Sequence, residues 1–337
     1  MSSIGSAETA GARPGHTGEP APGALLRRRV PGVGDPILAW SVRLLALLAL
    51  GVVVLMLLET LLRASPLFGI ESPFVLLFGL NWDPSTIAYG GLPFIYGTAV
   101  TSVLALLFAV PLAIGAALLI NEYLPRRIGA TLASGIELLA AVPSVVYGFW
   151  GVTVLVPALV PLQRAIAASP LGAIPLFAPP TYGPSYLAAS LILAIMILPI
   201  ATAVSRDAMA ATPRLQREAA LALGATRWEA IRHVVLPFAR GGILAGIILA
   251  LSRAIGETIA VLFVIGNQPQ INLSILAPGY TLPSVIASEF AEANQPFHSE
   301  ALIALGIVLF VISFAVNISA RWVVARFEAR AGGADVR

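Results

Sequence analysis

Six apolar runs, each long enough to carry a helix across a membrane, leave this chain little other way to fold. They lie at about 37–62, 94–120, 131–159, 186–204, 242–265 and 301–324. At 1.5 Å per residue, about 20 helical residues cover the roughly 30 Å of hydrocarbon in a bilayer. Within that layer the backbone must satisfy its own polar groups, and a helix does so within one segment. The expected fold class is therefore an all-α integral membrane protein with six transmembrane helices. Pro111, Pro143, Gly115, Gly148 and Gly246 fall inside the runs, where neighbouring helices can satisfy the freed backbone groups. The stretch 66–80 is apolar but short and broken by Pro73, so it reads as an interfacial segment and not a seventh span.

Composition agrees and removes several function classes. Hydrophobic residues make up 58% of the chain and charged ones 11%, where soluble domains carry about a quarter charged residues. There is no cysteine, hence no disulfide, thiolate nucleophile or Cys-ligated metal. All 20 basic residues are arginine. A Walker A loop needs a lysine on the β/γ-phosphates, so a P-loop serving this protein must sit on another chain. A GC-rich codon bias also accounts for missing lysines, and the chemical conclusion is the same. The three histidines, His16, His233 and His298, are far apart, and no HExxH, GxSxG or intramembrane Asp pair is present. No catalytic residue, metal site or cofactor is expected, and nothing points to nucleic acid.

Residues 1–35 are rich in Gly, Ala, Pro, Ser and Thr and end in Arg27-Arg28-Arg29. Such a segment cannot bury enough apolar surface to offset its chain entropy, and reads as a disordered tail. The run after it is too long for a signal-peptide core, so 37–62 is an uncleaved span. Six spans put both termini on one side, with loops 121–130 and 205–241. That side holds sixteen arginines and the other only Arg63 and Arg164. By the positive-inside rule the termini and the 205–241 loop are cytoplasmic, with 326–337 a second tail. Of the outer loops, 160–185 is stiffened by six prolines, and 267–300 has a helical pattern at 283–294. Both are long enough to dock a partner or merely to cap the bundle.

The cytoplasmic loop contains EAALALGATRWEAIRHVVLP at 218–237. Thr212-Pro213 reads as a helix start, Gly224 as a left-handed C-terminal residue, and Thr226 with Glu229 as a capping box. Pro237 either ends the second helix or marks entry into the next span. Leu215, Ala219 and Ala222 share one face of the first helix, flanked by Arg214 and Arg217. An alanine-built face is weak for lipid insertion and good for docking in a groove.

Glu218-Ala219-Ala220, three residues, Gly224, nine residues, then Val234-x-Leu236-Pro237 resembles the EAA loop of bacterial ATP-binding-cassette import permeases. Val234 stands where the family usually has Ile. The resemblance implies the type I importer, MetI-like permease fold, with Glu218, Ala219, Ala220, Gly224, Leu236 and Pro237 in a coupling helix on a separate ATPase. Four further segments, IYGTAVTS (95–102), IELLAAVPSVVYGFWG (136–151), LSRAIGETIAVLFVIGN (251–267) and SVIASEFAEA (284–293), resemble the phosphate-specific PstC permease family over about 74–325. This implies import of inorganic phosphate across the bacterial cytoplasmic (inner) membrane. The partners it implies are a second, PstA-like permease, two copies of a PstB-like ATPase, an extracytoplasmic PstS-like phosphate-binding protein and membrane lipid. A PstA-type role, or a permease for sulfate or molybdate, is the alternative.

For the substrate path, Arg253 and Glu257 stand i, i+4 on the fifth predicted span. Charges at that depth are functional candidates by default, although an Arg–Glu pair can also lock two helices. In the family the pair is associated with translocation. An arginine fork matches two phosphate oxygens, and a carboxylate accepts a hydrogen bond from protonated phosphate, which sulfate cannot donate. Thr98, Thr101 and Ser102 on the second span, with Ser252 and Thr258 beside the charged pair, either line a polar path or pack between helices. Glu137 needs a partner that the sequence does not name, and Glu59 reads as interfacial.

Overall fold

The computed structural model describes residues 34–332. The expected tail up to residue 33, with its arginines, and residues 333–337 lie outside that range. Among the described residues six helices are long and apolar enough to cross a membrane: Leu38–Ala64, Leu92–Tyr123, Ser144–Ala168, Tyr186–Ala210, Arg227–Ile255 and His298–Arg326. The chain divides into two units, Met1–Met56 and Leu57–Arg337. Among the described residues the first unit consists of helix α1 (Gly34–Ala64) as far as Met56.

The second unit is organised around α7 (Tyr186–Ala210), which packs along α3 (Leu92–Leu118) and α10 (Leu236–Ile255). Its buried side chains include Ile192, Leu193, Met196 and Ile197, and they meet Ala105, Ala109 and Ala113 of α3. Lipid is as apolar as leucine, so helices gain by close contact between small residues and not by escape from water. Gly242 shows how close: a Cβ there would lie 2.3 Å from that of Ala208.

The third span departs from expectation. The run at 131–159 is not one helix but an amphipathic α4 (Arg126–Ala140) followed by α5 (Ser144–Trp150), a π segment at Gly151–Leu155 and α6 (Val156–Ala168). Pro143 breaks it, because a proline disfavours helical geometry in the residue before it and donates no hydrogen bond. Tyr147 bridges the break by donating to the Leu139 carbonyl at 2.8 Å. The spanning part thus starts at Ser144 and carries Pro161 inside α6, so the expected proline-rich loop at 160–185 shortens to 169–185.

The fifth span is also split. A continuous helical path runs through α9 (Arg227–Ala230), a π segment at Ile231–Val235 and α10, then stops at Ile255. Gly256 ends it, and a short α11 (Ile259–Val264) follows. The last span, in α13 (His298–Gly332), continues past the expected boundary at 324 into the predicted tail.

The end of this unit away from the 205–241 loop carries α2 (Pro73–Phe78), a two-stranded hairpin of β1 (Trp82–Asp83) and β2 (Ala88–Tyr89), and α12 (Leu282–Glu289). The strands pair antiparallel, Trp82 with Tyr89 and Asp83 with Ala88. Segment 66–80 is a 3-10 turn and α2, neither long enough to span. The helix expected at 283–294 is α12 plus a 3-10 turn at Phe290–Glu292. Trp82, Tyr89, Phe94, Tyr280 and Leu282 form one buried cluster with Ala301, Leu302 and Leu305 of α13.

Candidate functional site

The loop between α7 and α10 folds into a helical hairpin. Its first helix, α8 (Arg214–Ala222), starts one residue later than the sequence suggests. Pro213 occupies the N-cap position, no side chain caps the helix, and the buried Thr212 hydroxyl makes no hydrogen bond. The C-terminus is a Schellman turn: Gly224 N–H donates to Leu221 O at 3.0 Å and Ala225 N–H to Ala220 O at 3.1 Å. Gly224 adopts φ +90°, a conformation that costs an ordinary residue about 1–2 kcal/mol. The capping box forms in both directions, with Thr226 and Glu229 each satisfying the other's backbone N–H. The helix does not end at Pro237. The π segment just before it widens the spiral by one residue and makes room for a ring that would otherwise strike a carbonyl one turn back.

Val235 packs this hairpin against Ala117 and Met209 of the spans, and Arg217 adds the hydrogen bonds. The Arg217 guanidinium donates to Glu122 Oε1 at 2.8 Å and to the Met209 carbonyl at 2.6 Å, joining α8 to the ends of the second and fourth spans. Glu122 is about one-eighth exposed, so this pair is better shielded than a surface ion pair. Sequence periodicity missed it, because Glu122 and Arg217 lie on segments with no shared repeat. By contrast α8 buries none of its residues. Leu215 is 79% exposed and Leu223 90%, and Glu218 and Ala219 are open as well. Leucine and alanine side chains are thus left bare on this polar helix.

The second place of interest is the break after α10. Arg253 is in the last turn of α10 and Glu257 lies beyond Gly256. The expected i, i+4 pair on one helical face is therefore not formed: the helix stops between the two residues. Glu257 instead accepts a hydrogen bond from Ala260 N–H at 3.3 Å, capping α11. Arg253 is exposed and, among the described residues, has no hydrogen bond or ion pair. It lies near the end of Arg227–Ile255, the fifth helix long enough to span.

The hydroxyls have contacts of their own. Thr98, Thr101 and Ser102 are all buried. Thr98 donates to Phe94 O and accepts from Leu282 N–H at 2.9 Å, tying α3 to the start of α12. Thr101 bonds Gly97 O, whereas the Ser102 hydroxyl has no hydrogen bond among the described residues. Ser252 donates to Asn317 Oδ1 at 2.8 Å, holding α10 against α13. A lone Asn in an apolar span was the available signal for Asn317, and it was missed. Thr258 bonds only Gly256 O, at 3.3 Å. The missing partner of Glu137 is Arg206, at 3.0 Å, so Glu137 stands at the hairpin end of α7 and not deep in a span.

Residues 109–329 match the family described as binding-protein-dependent transport system inner membrane component. A protein of Mesorhizobium japonicum named phosphate transport system permease protein PstC is 42% identical over 86% of this chain and 88% of its own length. Proteins of the same name from Xylella fastidiosa and Pasteurella multocida are each 38% identical, over 76% and 77% of this chain and 80% and 82% of theirs. The fold also resembles a solved bacterial ABC transporter involved in alginate import, with TM-score 0.56 and 17% identity over 87% of this chain and 98% of that one. With six spanning helices and the hairpin between the fourth and fifth, the chain belongs to the family of binding-protein-dependent inner membrane transport components, among permeases of the PstC type.

Proposed function

We propose that this chain is one of two permease subunits of an ATP-driven importer that moves inorganic phosphate into the cytoplasm. The observation that carries the reading is Arg253, an exposed cation with no hydrogen bond or ion pair among the described residues, beside a helix break inside the expected fifth span. Such a charge cannot face hydrocarbon, and non-helical backbone at that depth needs protein or a wet cavity around it. A second permease subunit closing over Gly256 would supply both and leave a path for the anion along the shared face. Thr258 and Ser252 flank that path. Thr98, Thr101 and Ser102 belong to it only if the closed complex opens their packing.

In this reading Arg253 offers its planar fork to two phosphate oxygens. Glu257 repels a fully ionised anion but accepts a hydrogen bond from phosphate, which keeps a proton at neutral pH where sulfate has none. ATP is hydrolysed by a separate pair of ATPase subunits that receive α8 in a groove, and an extracytoplasmic phosphate-binding protein delivers the ion to the opposite face. The arginine-rich hairpin end is then cytoplasmic, with both termini. Glu218, Ala219, Ala220 and Gly224 form the coupling element, and Leu236 and Pro237 join it to the fifth span.

The test is phosphate uptake in cells lacking their own importer, supplied with this chain and its partner subunits, with sulfate as competitor. Uptake should be saturable and indifferent to sulfate, and Glu257→Gln should lower it or admit sulfate. Equal inhibition by both ions would overturn the selectivity reading, and the sulfate or molybdate permease would take its place.

A further inference from the structure

A pocket of about 540 Å³ opens beside the hairpin, walled by the end of the second span, the first half of α4, the last turn of α7 and the start of α8. Four arginines line it, Arg126, Arg206, Arg214 and Arg217, with Asn121 and Thr212, and its lining contains no carboxylate. Nearby acids are already engaged: Glu137 and Asp207 hold Arg206, and Glu122 holds Arg217. Arg126 and Arg214 have no hydrogen bond or ion pair among the described residues. Each is the first residue of a helix whose N-cap is a proline that offers no capping side chain. Two sets of first-turn N–H groups are therefore left without a side-chain acceptor beside the pocket.

Inside the wall are two donors with no acceptor among the described residues. Thr212 is 3% exposed and its hydroxyl has no partner, and Arg217 Nε is likewise buried and unpaired. Burying an unpaired polar group is costly, so a fold that keeps both, beside two arginines whose charge no acid in the described residues pairs, is shaped for an anion. Ile120, Leu124, Ala130 and Ala133 make the rest of the lining apolar, and the pocket lies where spans meet the hairpin.

We propose that this pocket binds a phosphoryl group, carried by an anionic lipid headgroup or present as free phosphate, with Arg126 and Arg214 as its charged ligands and Thr212 as a hydroxyl donor. Because α4, α7 and α8 each contribute a wall, occupancy fixes the hairpin against the spans and sets how firmly α8 is presented. The site is separate from Arg253 and does not depend on what the permease carries.

The experiment uses the complete purified transporter, with its second permease and ATPase subunits. Phosphatidylglycerol, phosphatidylcholine and inorganic phosphate are each titrated against wild type, the double variant R126Q/R214Q and, as a variant of nearly unchanged shape, T212V. Removing two charge-assisted hydrogen bonds to one ligand should weaken its binding by about tenfold or more. Phosphatidylglycerol retained over phosphatidylcholine, and no longer bound by the double variant, supports the site with lipid as its source. Phosphate binding that disappears in that variant, without a lipid preference, supports it with free phosphate as the source. Equal binding by wild type and both variants, or no binding of either probe because an acidic side chain of the ATPase fills the pocket, overturns it. A complex that binds phosphatidylglycerol here but imports no phosphate would sink the cargo reading and leave this site standing.

Discussion

The two ends of the second unit are built on opposite terms. At the end with the β-hairpin, Tyr89, Tyr186, Phe94 and Leu282 are fully buried. Glu289 accepts from Trp82 Nε1 at 2.9 Å and lies 3.0 Å from His298 Nε2. Trp82 meets both Tyr89 and Phe94 edge to face, a packing worth about 0.5–1.5 kcal/mol per pair beyond area. At the other end no residue of α8 is fully buried, and Arg217 supplies its hydrogen bonds to the spans. Apolar residues in a membrane protein are commonly exposed to lipid, but Leu215 lies on a polar helix outside any span and Leu223 is its C-cap. One end is packed by its own chain and the other leaves α8 bare. Substitutions should follow that division, costing fold at the aromatic end and coupling at the hairpin end.

The largest effect on transport is expected at Gly224. A Cβ there would meet nothing within 4 Å, so the site has room and only the φ of +90° resists. Gly224→Val should cost about 1–2 kcal/mol locally, enough to misdirect α8 without touching a span. Uptake should fall to near background while membrane levels stay normal and ATP hydrolysis loses its dependence on substrate. Normal uptake would show that α8 is not the coupling element and would erase the contrast between the two ends.

Arg217→Ala comes next. It removes two charge-assisted bonds, each worth about 1.5–3 kcal/mol, and leaves Glu122 with only Asn121. The hairpin should become sensitive to protease while the spans keep their thermal stability, and uptake should drop part-way. At the aromatic end, Glu289→Leu should do the reverse. Trp82 and His298 lose their acceptor, at about 1–3 kcal/mol for each group left unpaired, so melting temperature falls while uptake by the folded fraction persists. If both variants lost uptake and stability together, the ends would be one cooperative body.

How much of this could be read in the chain differs by element. Helices α3 and α7 start within two residues of expectation because their apolar runs are long and begin next to proline, glycine or serine. The third span misled because apolar character is continuous through Ala141-Val142-Pro143, while the backbone is not. Hydropathy reports what a segment dissolves in, and Pro143 decides where its helix stops. The same blindness paired Arg253 with Glu257, since a spacing of four means one face only while the helix continues, and Gly256 ends it. The hairpin was legible because caps and left-handed glycines are local signals: Gly224 and the Thr226–Glu229 box stand where expected. Arg217 with Glu122, and Arg206 with Glu137, were not legible, because each joins segments far apart in sequence that only packing brings together.

The smallest effect sharpens the comparison from the stable end. Asp83 caps the turn of the β-hairpin, accepting from the Ser85 hydroxyl at 2.6 Å and from Ser85 N–H at 3.0 Å. Hydrogen bonds from Ser85, the side-chain one first, hold its carboxyl below the ordinary 3.8. A depressed acid contributes stability that is fully present above its unfolded value and lost as pH falls through the folded one. Its contribution should thus be constant from pH 8 to about 5 and disappear only below about 4. Asp83→Ala should lower the melting temperature slightly and equally across the neutral range, with a gap to wild type that closes only in acid. Because the carboxyl is fully exposed, water screens it and the gap should be small. A large gap, or one that changes between pH 6 and 8, would mean that the aromatic end relies on charge where the structure shows it relying on packing.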